Sequence, residues 1–166
     1  MHVLFVDDSQ VWQKIAIQSL PELGCTVVIA GDGQAALNYL TGPPATCPRP
    51  DIIMMDIAMP VLDGPDTTQI IRTQAPFITD PKICSTPIVG MCVTSLHADH
   101  KRFIARGMDD VLVKPWKRHD IQRLLHWWSQ RQLIPKTVGS PFPRAAIAPV
   151  WGAHPWRAYR GPRSRM

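Results

Sequence analysis

The chain has 166 residues, 45% of them hydrophobic, which is enough for one globular domain with an appendage. Its mean hydropathy is close to zero and no stretch approaches the roughly 18 apolar residues of a spanning helix, which argues against a membrane protein. The first eight residues lack the basic start of a signal peptide, and the four cysteines lack zinc-site spacing, so we expect a cytoplasmic protein with reduced thiols.

Charge divides the chain into two regions. Residues 1–133 contain 12 Lys and Arg against 13 Asp and Glu, a net charge of −1, whereas residues 134–166 contain 6 Lys and Arg and no acid, a net charge of +6. The second region also has six prolines in 33 residues, a composition typical of disorder. We therefore predict a domain over 1–133, a disordered basic tail over 134–166, and no specific nucleic-acid binding.

Strand-like and helix-like segments alternate along the first region. The β-prone segments are 2–6, 25–30, 51–55, 87–92 and 111–113, and the segments with helical periodicity are 10–23, 34–41, 65–74, 97–106 and 117–131. Pro21 predicts that the first helix bends or ends near Leu20, and the connection over 75–86 shows no clear periodicity. Five βα units in sequence predict an α/β fold, with a five-stranded parallel sheet and helices on both faces.

Charged side chains follow three of the predicted strands. Asp7 and Asp8 follow the first strand, Asp56 follows the third and Lys114 follows the fifth. The carboxyl ends of parallel strands meet at the edge where open α/β sheets hold ligands, so we expect these side chains to converge. Clustered carboxylates repel, so some must be neutralised by protonation or by a cation, and hard oxygen ligands suit Mg²⁺. Asp56 is then a candidate nucleophile toward phosphorus, with Mg²⁺ and Lys114 screening its charge.

Each of these motifs also has a purely structural interpretation. Asp8 could cap the first helix, Asp56 could cap the turn after its strand, and Lys114-Pro115 is a common dipeptide. The occurrence of all four charged groups at strand ends favours the functional interpretation.

Four motifs in this order resemble the receiver domain of two-component response regulators. They are Asp7-Asp8, Asp56-Ile-Ala-Met-Pro-Val-Leu-Asp-Gly64, Gly107-Met-Asp-Asp110 and Lys114-Pro115. The resemblance covers about residues 2–131 and implies a flavodoxin-like fold with Asp56 as the phosphoacceptor and Lys114 in contact with the phosphoryl group. The Mg²⁺ ligands that it implies are Asp8, Asp56 and the backbone carbonyl of Ala58, with Asp7 holding the ion through water.

The chain departs from the family pattern near its fourth and fifth strands. The family has a Thr or Ser at the end of the fourth strand, where an ungapped match to Lys114 puts Cys92, whose thiol is a weaker donor. Thr94 matches only with a two-residue slip. Val93 stands in the place of a small residue, and Val111 in the place of an aromatic one. We therefore expect weakened coupling to the face formed by the fourth helix, fifth strand and fifth helix (helix-4/strand-5/helix-5).

The resemblance implies a phosphorelay protein that takes a phosphoryl group from a phosphohistidine and catalyses only its own modification. The donor would be a histidine kinase or a histidine phosphotransfer protein, and the helix-4/strand-5/helix-5 face would allow a homodimer. One alternative is a degenerate pseudo-receiver that binds partners independently of phosphorylation; another is a receiver excised from a hybrid kinase.

Two further classes fit less well. A haloacid-dehalogenase-like phosphatase needs a second Asp two residues after its nucleophile, where this chain has Ala58. A nucleic-acid binder acting through the basic tail would bind only non-specifically and with strong salt dependence.

Overall fold

The computed structural model describes residues 1–93 and 97–132. Thr94 and the predicted disordered tail over 134–166 lie outside these residues. The chain divides into two compact units, Met1–Trp116 and Lys117–Met166, and the domain boundary expected at residue 133 stays a prediction. Among the described helices, none combines the length and the apolar character that crossing a membrane requires.

The first unit contains the predicted five-stranded parallel sheet. Its strands are β1 (His2–Val6), β2 (Thr26–Ala30), β3 (Ile52–Asp56), β4 (Ile88–Cys92) and β5 (Asp110–Val113). They lie in the order β2-β1-β3-β4-β5, and every neighbouring pair is parallel. The order reverses at β1, which makes the carboxyl ends of β1 and β3 the switch point where such sheets hold ligands.

Helices lie at the places that the periodicity predicts. They are α1 (Gln10–Ser19), α2 (Gly33–Thr41), α3 (Gly64–Thr73), α4 (Pro81–Ser85) and α5 (His97–Ala105), and the second unit contains α6 (Arg118–Gln132). With right-handed crossovers, the reversal at β1 puts α1 on one face of the sheet and the helices between β2 and β5 on the other. The flavodoxin-like prediction is confirmed.

The connection over 75–86 is more regular than its sequence suggests. It contains a 3₁₀ turn (Phe77–Thr79) and the short helix α4. The Asp80 carboxylate starts α4 by accepting hydrogen bonds from the backbone amides of Lys82 and Ile83, at 3.0 and 3.2 Å. A helix of five residues that depends on its cap produces no periodic apolar pattern, so the sequence pattern did not indicate it.

The strands β1, β3 and β4 are buried on both faces, which explains their unbroken apolar runs. On one face, Leu4 and Val6 of β1 and Ile53 and Met55 of β3 join the main core. That core also contains Ala36, Leu37, Leu40, Ile71, Ile83 and Phe103 from α2, α3, α4 and α5. The intervening strand residues point to the opposite face, which α1 covers, because side chains alternate along a strand.

Candidate functional site

The alternation that builds the core also directs the charged side chains. The last core-facing residues of β1, β3 and β5 are Val6, Met55 and Val113. The next residues along the chain, Asp7, Asp56 and Lys114, therefore point to the opposite face at the carboxyl edge. The predicted convergence of strand-end charges follows from the register of three strands.

The Lys114 ammonium joins two of the carboxylates. Its Nζ donates to Asp7 Oδ2 and to Asp56 Oδ1, each at 2.7 Å. The Lys114 side chain is 5% exposed and that of Asp7 is fully buried, so both ion pairs are shielded from water. Asp7 also accepts the backbone amide of Ser9 through Oδ1, at 3.0 Å. Asp7 is therefore held by two hydrogen bonds, and Asp56 by one to Lys114 and one to the Ile57 backbone.

Asp8 completes an acidic cluster. One carboxylate oxygen from each of Asp7, Asp8 and Asp56 lies within 4.8 Å of the others. Three carboxylates against the one ammonium of Lys114 leave two negative charges uncompensated, and a divalent cation would neutralise them. An all-oxygen donor set on the open side, with Asp8 exposed to solvent, is the kind of site that suits Mg²⁺ with several retained waters.

Burial and charge act in opposite directions on the phosphoacceptor candidate. Burial raises the pKa of Asp56 above its ordinary value, while the hydrogen bond and charge of Lys114 lower it and the charge of Asp7 raises it further. The net direction is upward. The site therefore holds a carboxylate whose charge is only partly compensated by its lysine.

The loop after β3 fits tightly against Asp56. The Gly64 amide donates to the Ile57 carbonyl at 3.1 Å, and a Cβ on Gly64 would collide with the carbonyl oxygen of Asp56. Asp63 starts α3 by accepting the Asp66 amide at 2.8 Å. The Asp-Gly pair is thus a cap followed by a close backbone approach, and it fixes the loop that leaves Asp56.

The remaining predicted site residues lie in different surroundings. Cys92 ends β4 in the apolar core, with its Sγ 3.9 Å from His100 Nε2 of α5. Val93, the next residue, is 85% exposed. Ala58 is exposed in the loop after Asp56, and its carbonyl as a metal ligand stays a prediction. Thr94 lies outside the described residues, so the choice between Cys92 and Thr94 stays open.

Two residues near the site have no role in the sequence-based prediction. Trp12 of α1 places its ring beneath the Lys114 ammonium, with Nζ 5.2 Å from the ring centroid. His100 contacts the Cys92 thiol. Trp12 lies in the segment with helical periodicity over 10–23, and its place one turn after Asp8 indicates that it lies near the acidic pair.

Comparison with known proteins identifies the family. The sequence model described as "Response regulator receiver domain" matches residues 3–126. The transcription factor SKN7 of Saccharomyces cerevisiae is 35% identical over 124 residues, which is 75% of this chain but 18% of SKN7. The Regulator of RpoS of Escherichia coli K12 is 34% identical over 122 residues, 74% of this chain and 32% of that protein. The chain thus spans less than a third of the length of either relative.

Solved structures show the same similarity over a whole domain. The receiver domain of the Pseudomonas aeruginosa sensor histidine kinase PA1611, solved with a magnesium ion in its active-site cleft, is 34% identical. It has a TM-score of 0.63, with coverage of 76% of this chain and 95% of that one. The chemotaxis protein CheY4 of Vibrio cholerae is 27% identical with a TM-score of 0.64, covering 76% and 96%.

Proposed function

The chain belongs to the response regulator receiver domain family, and we propose that it accepts a phosphoryl group on Asp56 from a phosphohistidine. The observation that carries this proposal is the Lys114 ammonium held 2.7 Å from both Asp7 and Asp56, inside a cluster of three carboxylates. A structural ion pair needs one carboxylate per lysine. The surplus of negative charge favours a site that binds a cation and a phosphoryl group.

The chain's own residues would perform the transfer as follows. An oxygen of the Asp56 carboxylate attacks phosphorus, a new O–P bond forms, and the P–N bond to the donor imidazole breaks, with its electron pair remaining on nitrogen. Lys114 donates to a phosphoryl oxygen and stabilises the charge there. The product is an aspartyl phosphate, so the protein is modified and does not turn over as an enzyme.

Mg²⁺ fits the donor set of this site. Asp8 and Asp56 would hold the ion with the Ala58 carbonyl, and Asp7 would act through water. When bound, the ion would neutralise the carboxylates and screen the phosphoryl oxygens.

Partners and context follow from the same proposal. The donor would be a histidine kinase or a histidine phosphotransfer protein in the cytoplasm, and the phosphorylated state would bias a surface toward an output partner. The relatives include a fungal protein named "Two-component system protein A" and a plant "Probable histidine kinase 2". A homodimer through the helix-4/strand-5/helix-5 face is part of this proposal. A domain boundary after residue 133, where the basic tail begins, is part of it as well.

Phosphorylation can be measured directly by intact mass after incubation with Mg²⁺ and acetyl phosphate. We expect the wild-type chain to gain one phosphoryl group and Asp56→Asn to gain none. Asp66→Asn is a matched control, because Asp66 is an exposed carboxylate paired with Arg106 away from the cluster; it should react like the wild type. Titration calorimetry with Mg²⁺ is a second measurement. We expect Asp8→Asn to lower the affinity for Mg²⁺ by roughly tenfold or more.

The pseudo-receiver remains the second candidate because of one observation. Cys92, in the place of the family's hydroxyl, lies in the apolar core beside His100. A wild-type chain that gains no phosphoryl group, yet binds a partner as tightly as Asp56→Asn does, would establish this alternative and contradict the phosphoacceptor role.

A further inference from the structure

Trp12 is a third neighbour of the Lys114 ammonium, beside the carboxylates of Asp7 and Asp56. The Lys114 ammonium has three N–H groups, and its hydrogen bonds to Asp7 and Asp56 account for two of them. The Trp12 ring is centred 5.2 Å from the same nitrogen. This distance is within the range of about 6 Å over which a cation is attracted to an aromatic face.

Burial strengthens this contact. The Lys114 side chain is only 5% exposed, so water competes weakly with the ring for the ammonium. A cation–π contact that is removed from water is stronger than one on an open surface. The Trp12 ring therefore limits the movement of the ammonium on the side where neither carboxylate bonds to it.

The ring itself is held in place. Trp116 packs against it with the ring centroids 4.9 Å apart and a tilt of 46°, and Trp116 is 9% exposed. Trp116 follows Lys114 by two residues, so one segment supplies both the cation and the support for Trp12. The start of α1 is fixed as well, because the Gln13 amide group donates to the Asp7 carbonyl at 2.8 Å.

We propose that Trp12 is a positioning residue for Lys114 in phosphoryl transfer, an inference that rests on the proposed function. A lysine has a flexible four-carbon stem. If this stem has to be ordered when the phosphoryl group arrives, the loss of conformational entropy slows the reaction. Trp12 keeps the ammonium directed between Asp7 and Asp56. When a phosphoryl oxygen replaces one carboxylate contact, the ammonium is already in place.

The contact can be tested by nuclear magnetic resonance without any phosphorylation. The ring current of Trp12 should shift the Lys114 ε-methylene protons upfield in the full chain. Trp12→Phe keeps an aromatic face and should retain most of the shift, whereas Trp12→Leu should lose it. An unshifted methylene in the wild type, or a shift that persists in Trp12→Leu, overturns the inference.

The role in the reaction is tested by the rate of phosphorylation from acetyl phosphate at saturating Mg²⁺. We expect Trp12→Leu to react roughly fivefold to thirtyfold more slowly than the wild type, and Trp12→Phe to recover most of the rate. Val11→Ala is the control on the same turn of α1, since Val11 is an exposed apolar residue, and it should react like the wild type. A purely structural role would slow Trp12→Phe and Trp12→Leu in proportion to their loss of stability in urea.

Failures of the two proposals give different results. If the wild-type chain gains no phosphoryl group, the proposed function is overturned and the positioning role with it. If the wild type is phosphorylated and folded Trp12→Leu reacts at the wild-type rate, only the positioning role is overturned.

Discussion

The two edges of the sheet each contain a buried cation, but they are built differently. At the amino ends of β4 and β5, Arg72 bonds to Asp109 through Nη2 at 2.7 Å. Its guanidinium also donates to the backbone carbonyls of Gly107, Cys84 and Thr86, at 3.1, 3.0 and 2.9 Å. At the carboxyl edge, the Lys114 ammonium meets two carboxylates and an aromatic ring.

The difference distinguishes a structural ion pair from the proposed cation site. Arg72 brings one positive charge to one carboxylate, and Asp109 also accepts the Ile88 amide at 2.8 Å. Charge is balanced within this pair, and the planar guanidinium matches the carbonyls around it. The cluster around Lys114 has three carboxylates for one ammonium. An unbalanced cluster is held together less firmly by itself and gains more from a bound cation.

Removing the balanced pair should have the largest effect on folding. Arg72→Met should lower the free energy of unfolding by about 3 kcal/mol, because Asp109 and three carbonyls lose their donor. Urea unfolding measures this loss, and Mg²⁺ should not restore it. Arg49→Met is the control: Arg49 pairs with Asp80 at 3.0 Å nearer the surface and should cost about 1 kcal/mol or less. Equal losses in the two variants would contradict the comparison.

The unbalanced cluster should respond to metal in addition to mutation. Without divalent cations, Lys114→Met should lower the free energy of unfolding by about 2 kcal/mol, because the fully buried Asp7 loses its counter-charge. Millimolar Mg²⁺ should recover part of this loss, since the ion binds only the folded state. Urea unfolding with and without Mg²⁺ measures both quantities. If Mg²⁺ left the free energy of unfolding of Lys114→Met unchanged, the carboxylates would not form a cation site.

A third ion pair, near the surface, should have the smallest effect and a clear pH dependence. Asp51 accepts from Lys82 Nζ at 2.7 Å and from the His2 amide at 2.8 Å. Burial alone would raise the pKa of Asp51, but these two partners lower it below its ordinary value. A lowered pKa stabilises the folded state above the ordinary value, and this contribution is lost as the pH falls through the folded pKa.

Asp51→Asn should therefore cost about 0.5 kcal/mol at pH 7, because half of the Lys82 side chain is exposed and the pair is screened. The difference between the variant and the wild type should vanish at an acidic pH below the lowered pKa of Asp51. Urea unfolding at the two pH values gives the result. A difference that persists in acid would assign the effect to packing rather than to charge.

Most of the fold could be predicted because its signals are local. Five apolar runs and the helical periodicities between them indicated the βα alternation, and Pro21 indicated a bend or end of α1 near Leu20, where the helix ends at Ser19. The convergence of Asp7, Asp8, Asp56 and Lys114 was also predictable, since parallel strands share a carboxyl edge. The helix α4 was missed, because its start depends on the Asp80 cap rather than on a periodic pattern.

By itself, the sequence determined which charged residues stand at strand ends, since apolar runs and their terminators are encoded residue by residue. Only the tertiary structure decided which atoms meet: Lys114 reaches Asp7 across 107 positions in the chain, Trp12 covers the ammonium, and His100 lies against Cys92. These contacts depend on strand register and on the packing of helices against the sheet. Such long-range geometry leaves no local pattern, because each partner is an ordinary member of its own strand or helix.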